Sequence, residues 1–139
     1  MQEFKKFLDS VGYAYKDFGT HSSESCDYPE VAAPACRAIA GGECDRGIFI
    51  CCTGVGMSIA ANKTPGIRAA LCSDCFTAEM TRRHNDANVL TLGARVIGIG
   101  LALMIIEKFL TTGFDVDVRH SRRIAMLTGL DAEAKINNK

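Results

Sequence analysis

The run Gly47-Ile48-Phe49-Ile50-Cys51 carries no charged or amide side chain and gives way at once to a turn containing Gly54 and Gly56. So short a continuous apolar run predicts a strand buried on both faces. The two glycines permit a tight reversal, and the spacing of residues 57–63 predicts a helix. The same alternation recurs downstream. Residues 67–72 read as a strand followed by a helix over 74–84, and residues 89–92 as a strand followed by a helix over 99–110. Strands alternating with helices at this spacing predict an α/β fold, a doubly wound parallel sheet with helices on both faces. Ligands of such sheets bind beyond the carboxyl ends of the strands, where Cys51 falls.

The remaining segments fit one domain of 139 residues, long enough to bury about two-thirds of its unfolded surface. Residues 2–11 place Phe4, Phe7, Leu8 and Val11 at helical spacing, residues 13–18 read as a strand, and 19–28 as a polar loop. Pro29 suits the first turn of a helix that Gly41-Gly42 ends, and a last helix starts at about 119. The most apolar stretch, residues 97–106, is far short of the roughly 20 residues of a membrane helix, so no membrane partner is expected. Sixteen basic and sixteen acidic side chains cancel, leaving no global field for nucleic acid. Seven cysteines without an export signal read as reduced thiols in a cytoplasmic protein.

The turn after Cys51 offers main-chain N–H groups at the start of a helix, an arrangement suited to an anion. It fails the phosphate-binding P-loop pattern, because Met57 stands where lysine is needed, and the dinucleotide pattern, because Ile59 replaces the third glycine. Taken alone, Cys51 reads as a small buried apolar residue. Cys72 and Cys75 form one Cys-x-x-Cys pair without a second pair at zinc spacing, so metal or redox chemistry is weakly supported and no metal is expected. His21 reads as a solvated loop residue. His120, beside Arg119 and Arg122, reads as a surface residue or an aid to phosphate binding. Arg119 and Arg123 lie one helical turn apart and can face one phosphate.

The segment DRGIFICCTGVGMSIAANK from Asp45, with Gly66-Ile67-Arg68-Ala69-Ala70 and His84-Asn85-Asp86-Ala87-Asn88-Val89, closely resembles the B type of ribose-5-phosphate isomerase. That family includes galactose-6-phosphate isomerase subunits, and the likeness runs from residue 1 through about 125. The resemblance implies a Rossmann-like sheet and cofactor-free interconversion of an aldose and a ketose phosphate through an enediolate. It implies Cys51 as the base, Thr53 beside it, and His84 as the proton donor in ring opening. The backbone of Cys52, Gly54, Val55 and Gly56 is expected to hold the developing oxyanion, with Ser58 also contacting substrate. Tyr28 is expected to line the sugar pocket, and Asn85, Arg95, Arg119 and Arg123 to contact sugar and phosphate. A homodimer or tetramer is implied, each site drawing on two subunits. The alternatives are an isomerase of a six-carbon sugar phosphate (galactose or allose 6-phosphate), a non-catalytic or partner-dependent subunit, and a thiol redox or metal protein using Cys51-Cys52 and Cys72/Cys75.

Two departures from the family pattern stand out. Family members begin with a strand and a loop bearing Asp-His, whereas residue 1 here falls inside the following helix, a difference of roughly 15 residues. The expectation is a fragment or a misplaced start lacking the first strand, with impaired folding or activity. The other is Cys52, where the family usually has glycine; its side chain is expected to crowd the sugar or strain the backbone and slow turnover.

Overall fold

A computed structural model describes residues 2–22 and 24–137. In chain order, α1 (Gln2–Ser10) and α2 (Tyr28–Ala40) precede β1 (Gly47–Cys51) and α3 (Val55–Ala61). Then come β2 (Ala69–Leu71), α4 (Cys75–Asn85), β3 (Val89–Gly93), α5 (Ile99–Thr111) and α6 (Val118–Asn137). The three strands form a parallel sheet in the order β1-β3-β2. Gly47 pairs with Val89 and Cys51 with Gly93 on one side of β3, and Ala69 pairs with Val89 on the other.

Helices cover both faces, as the alternation of apolar segments predicts. On one face α2 and α3 contribute Ala32, Cys36, Ile39, Met57 and Ala61 to a cluster closed by Phe49 and Val89. On the other, α4 and α5 contribute Ala78, Ile105, Ile106 and Phe109 against Leu90 and Leu92, and α1 adds Phe4 and Phe7. Val89 and Leu90 serve opposite clusters because successive strand side chains alternate. Each large side chain removed from water here contributes about 1.5–3 kcal/mol. Arg46 seals the far end of α5, donating to the carbonyls of Phe109 (2.6 Å), Leu110 (2.5 Å) and Thr112 (3.3 Å).

Three expectations need correction. The strand buried throughout is β3; in β1 only Gly47 and Phe49 are buried. The reason is position, since β3 has a strand on each side and β1 flanks it. The strand expected over 67–72 contracts to three residues, because the Ile67 N–H turns back to Thr64 instead of joining the ladder. Residues 13–18 form no strand. They are fixed by side chains: Lys5 to Asp17 at 2.5 Å, Lys16 to Glu43 at 2.5 Å, and Phe18 against the α2–α3 cluster. Among the described residues the outer edge of β1 pairs with no strand, and none precedes α1. No described helix is long and apolar enough to cross a membrane.

Candidate active site

At the carboxyl edge of the sheet, β1 ends on Cys51 and the chain turns through Cys52 and Thr53 into α3. Gly54 makes the turn possible. It is buried with φ +81°, a conformation costly for any residue with a Cβ. Its N–H donates to the Cys51 sulfur at 3.1 Å, which fixes the thiol at the mouth of the turn. Thr53 Oγ1, exposed beside it, accepts the Val55 N–H at 3.4 Å. The end of β3 holds the turn from the other side: the Ala94 N–H donates to Cys51 O (2.8 Å) and the Arg95 N–H to Cys52 O (3.0 Å). Gly93 packs so closely that a Cβ there would lie 2.6 Å from Thr53 O.

Tyr28, at the start of α2, lies over the same turn. A Cβ on Gly56 would approach its ring to 2.8 Å and its hydroxyl to 3.1 Å. Cys51, Cys52, Thr53, Gly54, Val55, Gly56, Tyr28 and Arg95 therefore meet at one edge, and half-buried Ser58 follows one turn along α3. The Cys52 side chain is exposed and its φ is not positive, so the expected backbone strain is absent.

His84 and Asn85 lie elsewhere. They end α4, which runs back across the sheet from the carboxyl end of β2 to the amino end of β3. The five residues of β3 separate them from Cys51, about 13 Å of strand. Both are exposed. The His84 ring packs on that of His120 with centroids 4.5 Å apart.

His120 is the main surprise of this edge. Far from being a surface residue, it is 5% exposed, and its buried Nδ1 has no hydrogen-bond partner. Arg119 Nη2 lies 3.3 Å from its Nε2. The residue is anchored through its backbone: the His120 N–H donates to Asp117 Oδ1 at 2.7 Å, and that bond chiefly holds the Asp117 carboxyl below its usual range. Asp117, three residues ahead at the start of a helix, is the sequence signal that could have placed it. Arg123, one turn on, is exposed. The carboxyl edge thus carries Cys51 and the glycine turn, and the amino edge carries His84, Asn85 and Arg119.

The Cys72/Cys75 pair offers little chemistry. Cys72 is 1% exposed, and burial, then the nearby Asp74 carboxylate, push its thiol up to about 12. Among the described residues no three His, Cys, Asp or Glu side chains converge to hold a metal.

Comparison with known proteins matches this chain to one family. The ribose/galactose isomerase family profile covers residues 1–127. Ribose-5-phosphate isomerase B of Escherichia coli K12 is 50% identical over 129 residues, 93% of this chain and 86% of that protein. A 4-deoxy-4-sulfo-D-erythrose isomerase from a Clostridium species is 42% identical over 123 residues, 88% of this chain and 77% of that one. The solved structure of Clostridium thermocellum ribose-5-phosphate isomerase B superposes with a TM-score of 0.93 at 48% identity, covering 96% of this chain and 89% of that one. With the family profile covering nearly the whole chain and the fold matching at 48% identity, the chain belongs to the ribose/galactose isomerase family.

Proposed function

We propose that this enzyme interconverts ribose 5-phosphate and ribulose 5-phosphate, with Cys51 as the base and without a metal or cofactor. The observation that carries the reading is the Cys51 sulfur held by the Gly54 N–H at the mouth of a glycine turn. The Cys51 thiolate takes the proton from C2 of the open-chain aldose, and the electron pair of that C–H bond forms the enediolate. The main chain from Cys52 to Gly56 faces the negative oxygen, the hydroxyl proton of O2 passes to O1, and the Cys51 thiol returns its proton to C1 as the C2 carbonyl forms. Tyr28 lines the sugar, Arg95 contacts it from the end of β3, His84 moves the proton that opens the furanose ring, and Asn85 contacts a hydroxyl. Arg119 and Arg123 bind the phosphate. Purified protein should convert ribose 5-phosphate to the ketose and wash solvent deuterium into the sugar. Cys51→Ala should lower kcat by about 10²–10⁴-fold with KM little changed. A fully active Cys51→Ala enzyme would exclude the thiol as base. Turnover of galactose or allose 6-phosphate, or of 4-deoxy-4-sulfo-D-erythrose, in preference to ribose 5-phosphate would move the substrate assignment within the family.

The separation of Cys51 and His84 on opposite edges of one sheet supports a homodimer in which one copy's carboxyl edge meets its partner's amino edge. Mixing two inactive variants, Cys51→Ala and His84→Ala, should regain activity, since each mixed dimer has one site with both groups intact. Sites lying within single chains would regain none. A second reading, a partner-dependent subunit, is favoured by the outer edge of β1, which pairs with no strand among the described residues. Turnover that appears only on mixing with a full-length relative would favour it.

A further inference from the structure

We propose that Asp86, gripped by Arg68 and Arg82, is a positioning residue that presents His84 and Asn85 to the substrate, an inference that rests on the isomerase reading above. Both presented side chains are exposed, and they occupy the last two positions of a helix, where a backbone ordinarily frays. Among the described residues the Asn85 side chain makes no hydrogen bond, and the ring of His84 touches only that of His120 among aromatic rings. The aim of Asn85 is therefore set by the main chain beneath it, and that of His84 by the main chain together with the ring of His120.

That main chain is held to an unusual degree. Asp86 has φ +45° and ψ +45°, the one left-handed non-glycine residue among those described. Glycine is the usual occupant of this position after a helix. The carboxylate explains the exception. Its Oδ1 accepts from Arg82 Nη1 at 2.8 Å and its Oδ2 from Arg68 Nη2 at 3.1 Å. The same guanidinium groups take up the carbonyls left free at the helix end. Arg68 Nε donates to Asn85 O and Asp86 O, each at 3.0 Å, and Arg82 Nη1 donates to Ala87 O at 2.5 Å. Both arginines are themselves anchored. Arg82 is 6% exposed, and the Arg68 N–H donates to Asn88 Oδ1 at 2.8 Å just ahead of β2. The turn after His84-Asn85 is thus bolted to the sheet while the two side chains stay free to meet a ligand.

An ordinary helix cap and a positioning device predict opposite results for one substitution. Glycine adopts the left-handed conformation freely but leaves buried Arg82 without its carboxylate, so a merely structural Asp86 predicts a less stable Asp86→Gly protein that keeps full kcat while folded. If the carboxylate positions the site, Asp86→Gly should cut kcat for ribose 5-phosphate at least tenfold with little change in KM. Asp86→Asn, which keeps both the conformation and an acceptor for one arginine, should recover most of that loss, and Arg68→Met should mimic Asp86→Gly. Kinetics would be paired with amide hydrogen exchange and the NMR signals of His84 in the same proteins. The expected result is at least tenfold faster exchange at residues 86 and 87 and displaced or broadened His84 signals in Asp86→Gly, with His120 shifting alongside its ring partner and His21 unmoved. Asp86→Gly within twofold of wild type in kcat, or with His84 signals and exchange unchanged, overturns the proposal. Should the wild-type protein fail to isomerise ribose 5-phosphate, the functional reading falls, while exchange and His84 signals still decide the role of Asp86.

Discussion

Replacing Gly54 by alanine should damage both stability and turnover, and the structure separates the causes. Gly54 has φ +81°, and a left-handed conformation costs an L-residue about 1–2 kcal/mol. A Cβ would also lie 2.5 Å from Leu71 Cδ1, 2.8 Å from the Leu92 carbonyl carbon and 3.1 Å from the Gly93 nitrogen. Leu71, 41% exposed, can swing aside, but the main chain of the buried central strand cannot. Overpacking of that kind costs roughly 1–3 kcal/mol, so the total is about 2–5 kcal/mol. At on the order of 4 °C per kcal/mol for a chain of this size, Tm should fall by about 8–20 °C. Two control substitutions isolate the parts. Gly42 has φ +78° with nothing within 4 Å of an added Cβ, so Gly42→Ala should show the conformational cost alone, about 1–2 kcal/mol. Gly100 lies inside α5 with open space around it, so Gly100→Ala should gain about 0.5–1 kcal/mol. Thermal and urea unfolding at one protein concentration would rank the three. Alanine keeps the N–H that donates to Cys51, but the clash with β3 would displace it, so a folded Gly54→Ala protein should also lose kcat. A Gly54→Ala protein no less stable than Gly42→Ala would refute the claim that β3 walls in the turn.

Three further outcomes can be checked. Cys72, its thiol raised to about 12 by burial, should resist iodoacetamide in the native protein while exposed Cys52 and Cys26 react, as peptide mass mapping would show. Phe109, fully buried with the guanidinium groups of Arg46 and Arg82 at 5.8 and 5.7 Å from its ring, should cost about 3–5 kcal/mol in urea unfolding when replaced by alanine. Asp117, whose folded-state carboxyl is depressed, contributes stability above its unfolded value near about 4 and loses it as pH falls through the lower folded value. Asp117→Asn should therefore melt below wild type at neutral pH, and the gap in Tm should close on acidification.

What could be read from the chain, and what could not, follows from the range of each interaction. The β-α alternation was legible because burial writes itself into runs of side chains, and the glycines at 54 and 56 mark a turn whatever surrounds them. Residues 13–18 misled because Tyr13 and Tyr15 have the composition of a strand, whereas a strand needs a neighbour's open edge, a fact about other parts of the chain. His120 misled in the reverse sense. Its basic neighbours suggest solvent, and only the packing of α6 on α4 buries its ring against His84. Asp86 stands in the run from His84 to Val89 that carries the family likeness, but its role could not be read there, since its two arginines lie 18 and 4 residues away.

One feature of the site was written in the order of elements. Cys51 stands in a strand-to-helix turn, and His84-Asn85 stand in a helix-to-strand turn. In a parallel sheet every strand-to-helix turn lies at the carboxyl edge and every helix-to-strand turn at the amino edge. Residues drawn from the two kinds of turn are held apart by the length of a strand, here the five residues of β3. No local rearrangement of a loop closes that distance, because β3 is buried throughout and its register is fixed on both sides. The proposed homodimer meets this constraint, because a second copy placed edge to edge would bring the thiol and the imidazole to one sugar phosphate. The mixed-variant experiment measures that requirement directly: regained turnover places Cys51 and His84 of one site on different chains, and its absence means that this geometry does not serve the reaction.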